Sequence, residues 1–226
     1  MDNLDKRSPL SKVIENKKVV VGVMIFAIIY DIFYSIGLAY VLGENPVSFT
    51  MSMIGRATIP GRFPTLFVFF GIVTNIAFML NINYAYHKDD YIKTKLGKIG
   101  FICAWIGVFF LTMCTLIPSI EFEEVHDVLT GFQVAGHWSG AILFALFFAI
   151  SICLYIFSHR KKYKGFLVLF IVLIIVLVTL AILVIAIPKN GVFEILPLIL
   201  VMALMIFINL DKFPKIEQEE ETHKVE

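Results

Sequence analysis

Apolar runs long enough to cross a bilayer recur along this chain, at about residues 19–42, 65–86, 99–117, 134–157, 165–187 and 192–210. A hydrocarbon core about 30 Å thick takes roughly 20 residues of α-helix, and inside it each backbone N–H and C=O must be satisfied within the segment. The runs therefore predict an all-α fold, a polytopic integral membrane six-helix bundle. Composition agrees: 59% of the residues are hydrophobic, 22 are Phe and only 16% are charged, which excludes an ordinary soluble domain. The expected organisation is a polar segment over residues 1–18, a six-span domain over 19–210 and a polar tail over 211–226, whose EQEEE run is solvated.

The net charge of +1 says little, but the placement of charge says much. Sixteen of the nineteen basic residues fall in the first segment, in residues 87–98, in residues 159–164 and in the tail. Arg56, Arg62 and Lys189 fall on the other side. Basic residues accumulate on the cytoplasmic side of a membrane, so both termini are expected there and residues 118–130 outside. The run after Lys18 exceeds the roughly 7–15 residues of a signal-peptide core and lacks a small-residue cleavage pattern, so it reads as a retained first span.

Polar residues inside such runs are expensive and mark the candidate site. Asp31 lies near the middle of the first run, with Tyr34 and Ser35 on the same helical face, and Asn75 lies near the middle of the second. The densest polar stretch is Cys114–Gly140, with Glu121, Glu123, Glu124, His126 and Asp127 before His137. Eleven residues return a helix to nearly the same face, so His126 and His137 share a stripe roughly 16 Å long if the helix is continuous. The expected ligand site is an outward-opening pocket lined by Asp31, Asn75 and His137, with Arg56 and Arg62 as phosphate donors at its mouth. His126, Asp127, Glu124 and His137 are the candidate metal ligands, although no HxxxH or HExxH spacing brings them together. Cys103, Cys114 and Cys153 show no CxxC spacing and read as packing residues.

Small residues forecast helix packing. Gly97, Gly100, Ala104 and Gly107 make a stripe on the third span, and Gly136 and Gly140 frame His137 on the fourth, so these two helices are expected to pack closely. The fifth run is almost wholly Val, Ile and Leu and should face lipid. Pro197 permits a kink in the sixth, and Glu194 sits at its outer interface with no interior charge required. Asn81 and Asn83, closer to the cytoplasmic end, are expected to bond a neighbouring helix, with water near the interface as the alternative partner.

Ser52, Pro60, Pro64 and Phe67 lead into the second span, and Pro118, a group of acids and His126 lead into the fourth. In this pattern the chain resembles the damage-regulated autophagy modulator (DRAM-like) superfamily, and within it a prokaryotic six-span branch of unknown function, over roughly residues 20–210. The resemblance implies a six-helix membrane fold and an association with lipids. The roles of Asp31, His137 and the acidic stretch rest on the physical reading alone.

These features favour a non-catalytic lipid-binding, lipid-sensing or scaffold protein of the cell membrane, with membrane lipids as partners and no cofactor. Self-association remains open, and nothing calls for nucleic acid. The alternatives are a metal-dependent hydrolase acting on lipids, with Asp31, His126, Asp127 and His137 around one ion, and a proton-coupled transporter using Asp31. Haem would need a second intramembrane histidine level with His137, and His87 and His159 lie in the basic segments.

Overall fold

The computed structural model of the protein describes residues 15–51, 53–54, 65–117, 125–186, 190–211 and 213–214. These residues are helical throughout the apolar runs, and no strand occurs among them. The helices are α1 (Lys17–Val41), α2 (Thr65–His87), α3 (Lys95–Leu116), α4 (Val128–His159), α5 (Phe166–Ala186) and α6 (Gly191–Asn209). Five of them are long and apolar enough to cross a membrane, and Glu194–Asn209 forms a shorter apolar helix. The chain is thus a helical membrane protein.

Local chemistry sets the helix ends. The Asn16 side chain accepts from the backbone N–H of Lys18 and Val19 at 3.1 and 3.4 Å, and Thr94 Oγ1 accepts from Gly97 N–H at 2.9 Å. At the end of α1, Gly43 takes a positive φ of 77°, and the N–H of Glu44 reaches back to Ala39 O at 2.9 Å, closing the last turn. A 3-10 segment, Lys88–Lys93, turns the chain from α2 into α3.

Consecutive helices pack side by side from α1 to α6, and α6 returns to α1 and α2. The α3–α4 pair is the most extensive of these contacts. As the small residues predict, Gly140 lies against Cys114, where an added Cβ would come within 3.0 Å of the backbone N. Gly107 does the same against Phe148 and the backbone of Phe144, at 3.3 and 3.4 Å. The stripe on α3 has a second use that spacing did not reveal. Gly100 makes room for Tyr86 of α2, and Gly97 for the backbone of Tyr91, in the turn that precedes its own helix. In the hydrophobic window of α5 only 11% is buried, so this helix is peripheral, as its uniform aliphatic sequence predicts.

The end of the bundle where α1 begins and α6 finishes is basic and tightly tied. Lys17 Nζ donates to Leu210 O at 3.2 Å and Lys88 Nζ to Ile208 O at 3.1 Å, so two ammonium groups satisfy the last carbonyls of α6. Lys88 also pairs with Asp211, and Tyr163 donates to the same carboxylate at 3.2 Å. Burial alone would raise the Asp211 carboxyl, but the hydrogen bond and charge of Lys88, with Tyr163 and Lys17, hold it below the usual carboxylate range. Deeper in the bundle, Asn81 Nδ2 donates to Val20 O at 3.0 Å and accepts at Oδ1 from Asn209 Nδ2 at 2.7 Å. Asn81 therefore binds α1, α2 and α6 together. It is fully buried because α1 and α6 close over it, and it bonds neighbouring helices as expected of an intramembrane Asn.

Candidate functional site

Asp31 is completely buried on α1, and its carboxylate accepts from Thr74 Oγ1 of α2 at 3.1 and 3.3 Å. Immediately after Asp31 the helix widens into a π-turn, Phe33–Gly37. Within it Ser35 Oγ, on the same face as the carboxylate, donates to the backbone carbonyl of Asp31 at 2.8 Å. The turn also seats Tyr34 in the core, with its ring 5.1 Å from Phe70 and 6.3 Å from Phe67. Single π-turns of this kind gather at functional sites.

The other two expected pocket residues are bonded elsewhere. Asn75 Nδ2 donates to Gly71 O at 2.7 Å, and Asn75 Oδ1 accepts from Thr112 Oγ1 of α3 at 3.3 Å. His137, on α4, places Nδ1 3.0 Å from Ile117 O and 3.9 Å from Cys114 Sγ. If Nδ1 carries the ring proton and donates to Ile117 O, Nε2 is left as the acceptor nitrogen. Asp31, Asn75 and His137 thus serve three successive interfaces, α1–α2, α2–α3 and α3–α4, and no hydrogen bond joins any two of them. An aromatic path runs instead from Tyr34 to His137, with the Phe67 ring 6.3 Å from the first and 6.2 Å from the second.

The stripe expected to hold both histidines does not form. Asp127 caps α4, accepting from Thr130 N–H at 2.7 Å while the Thr130 hydroxyl takes the N–H of Asp127 at 3.2 Å. The helix therefore starts at Val128, leaving His126 ahead of it and exposed, whereas His137 is buried. These capping bonds also hold the Asp127 carboxyl below its ordinary value. For a hydrolytic metal centre the donors would have to converge. Among the described residues no three His, Cys, Asp or Glu side chains lie close enough to hold one ion. Glu124, Arg56 and Arg62, together with Ser52, Pro60, Pro64 and Pro118 of the family-like pattern, lie outside the described residues.

The structure adds a half-buried acid contact that neither spacing nor hydropathy announced. Residues 45–51 cross the end of the bundle opposite the basic one as a strap, and Glu194 of α6 holds it by accepting from Met51 N–H at 3.0 Å. Tyr34 of α1 donates to Met51 O at 3.2 Å, so both backbone polar groups of this residue are bonded to side chains of the bundle. Gly191 N–H closes the arrangement on Val47 O at 3.0 Å. Gly191 lies directly beneath the strap, because an added Cβ would collide with Phe49 O. Glu194 was placed at the interface with no interior charge required; the strap draws its carboxylate into service as a backbone anchor. The one sequence signal for this was an acid in the first turn of an apolar helix. At this end Tyr34, Glu194 and His137 bring a phenol, a carboxylate and an imidazole to the level of the strap. No protein-family model, curated protein or solved structure significantly matches this chain.

Proposed function

We propose that this is a multi-pass protein of the cell membrane that binds lipid without catalysing a reaction, and that its headgroup site lies at the strap end of the bundle. The observation that carries the proposal is the double hold on Met51 by Tyr34 and Glu194. It fixes a loop across the end of a membrane bundle, and the same loop continues in sequence to Arg56 and Arg62. Arginine forms bidentate bonds with phosphate oxygens, and headgroup recognition is assigned to this stretch of the sequence on that chemistry. The orientation proposed with it puts both termini in the cytoplasm and the strap outside, in keeping with the skew of basic residues. A relationship to the DRAM-like six-span proteins belongs to the same proposal.

Lipid analysis tests the site. The headgroup-selected fraction of the phospholipid that copurifies with the wild-type protein is expected to be lost in Arg56→Ala/Arg62→Ala and to change composition in Asp31→Asn. The same lipids in the same amounts in all three proteins would reduce the cluster to a structural role. Orientation is tested by a single thiol at the exposed His126 position in a protein without its native cysteines. Labelling by an impermeant reagent only after permeabilisation would reverse the proposed topology.

A further inference from the structure

Between α4, α5 and α6 lies a crevice of about 60 Å³ whose walls are entirely apolar. It exists because α4 presents Ala145 and Ala149, one turn apart, where larger side chains would meet Leu173 and Leu177 of α5. Its third wall is the segment of α6 around Pro197. Phe148 and Leu198 are buried and form a floor, while Ala145 is exposed, so the crevice is closed towards the core and open at the rim. Leu173 and Leu177 fall near the centre of the 21-residue α5, which places the opening midway along the spans. At that depth the surrounding solvent is hydrocarbon chain, with no headgroup or water.

From these features we infer that the crevice holds part of a phospholipid acyl chain, at a site separate from the strap-end headgroup site. The reasoning is one of solvent. A void lined by methyl and phenyl groups forfeits dispersion contacts when empty, and the only species available at its mouth is a chain of matching chemistry. Its size suits a chain segment, leaving the headgroup at the interface and unread. Selection is therefore expected by chain and not by headgroup. Continuity supports the assignment, because the rim merges with the exposed faces of α4 and α5 at Leu146, Ile174 and Val178.

The experiment is native mass spectrometry of the full chain. The protein is reconstituted with either dioleoylphosphatidylcholine or dioleoylphosphatidylglycerol and then released into detergent. In the Arg56→Ala/Arg62→Ala background, which removes the strap-end site, one tightly retained phospholipid per chain is expected, equally from either lipid. Ala149→Phe fills the crevice and should reduce retention at least fivefold, whereas Ile171→Phe, on the exposed face of α5, should retain as much as wild type. Should Ala149→Phe fail to fold, Ala145→Leu narrows the rim with less intrusion and is expected to reduce retention in the same direction. The Arg56→Ala/Arg62→Ala protein should keep this lipid, so the two sites fail independently. Equal retention in wild type and the folded crevice-filling variants would overturn the inference, as would retention that follows the headgroup. A dimer dissociated by Ala149→Phe would also overturn it, by assigning the crevice to a second copy of the chain.

Discussion

The hydroxyl of Thr74 donates to both carboxylate oxygens of Asp31, at 3.1 and 3.3 Å, across the interface of α1 and α2. Both side chains are completely buried, so this pair joins two spans at a point where no water competes. Interhelical hydrogen bonds in membranes average about 0.6 kcal/mol and reach about 1.7 kcal/mol. A double-mutant cycle with Thr74→Val and Asp31→Ala should therefore give a coupling of roughly 1 kcal/mol in reversible unfolding. Additive effects would mean that the bond contributes nothing beyond its parts.

The two glycines around His137 should respond differently to substitution. At Gly140 an added Cβ meets the backbone of Cys114 at 3.0 Å, and a backbone cannot turn aside. At Gly136 it meets Ile117 Cδ1 at 2.8 Å, the tip of a side chain that can. Gly140→Leu is expected to cost about 1–3 kcal/mol or more, and Gly136→Leu measurably less. Ile174→Leu, at an exposed site on α5, should leave the melting temperature in detergent unchanged. Equal losses at the two glycines would reject this account of the α3–α4 contact.

Asn81 and Asn83 test the same distinction for polar groups. Asn81 bonds Val20 O of α1 and receives a bond from Asn209 of α6, whereas Asn83 Nδ2 returns to Met79 O of its own helix. Asn209 Oδ1 is already without a partner among the described residues, so Asn81→Ala strips Asn209 of its side-chain bond as well. A loss of roughly 1–3 kcal/mol is expected for Asn81→Ala, and one close to zero for Asn83→Ala. Denaturant titration of both variants provides the measurement.

The Asp211 clamp sets a pH dependence with a definite sign. Its carboxyl is held below the usual range by Lys88, Tyr163 and Lys17, which together outweigh its partial burial. A carboxyl depressed on folding contributes stability that is complete above its unfolded pKa, near 3.9, and is lost as pH falls through the lower folded value. The stability difference between wild type and Asp211→Asn should thus stay constant from neutral pH to about 5, then shrink below about 4. Salt should reduce it too, because the Asp211 side chain is 33% exposed. A difference that grew on acidification would contradict the clamp.

The helices were legible in the sequence because a backbone in hydrocarbon has one way to satisfy itself, and apolar length alone reports it. Peripheral α5 and the close α3–α4 pair were legible for a related reason, since aliphatic uniformity and small-residue spacing state what each helix can pack against. The cap that excludes His126 from α4 was also present, as Asp127 followed three residues later by Thr130. The partners of the polar residues lay beyond the sequence. Asp31, Asn75 and His137 each have several acceptors or donors within helical reach, and helix rotation decides which is used, giving Thr74, Thr112 and Ile117 O. The strap is the clearest case, because neither periodicity nor hydropathy specifies the path of residues 45–51. Only when the end of α1 and the start of α6 are packed side by side does Met51 N–H fall on Glu194, turning an acid expected at the membrane surface into a half-buried backbone anchor.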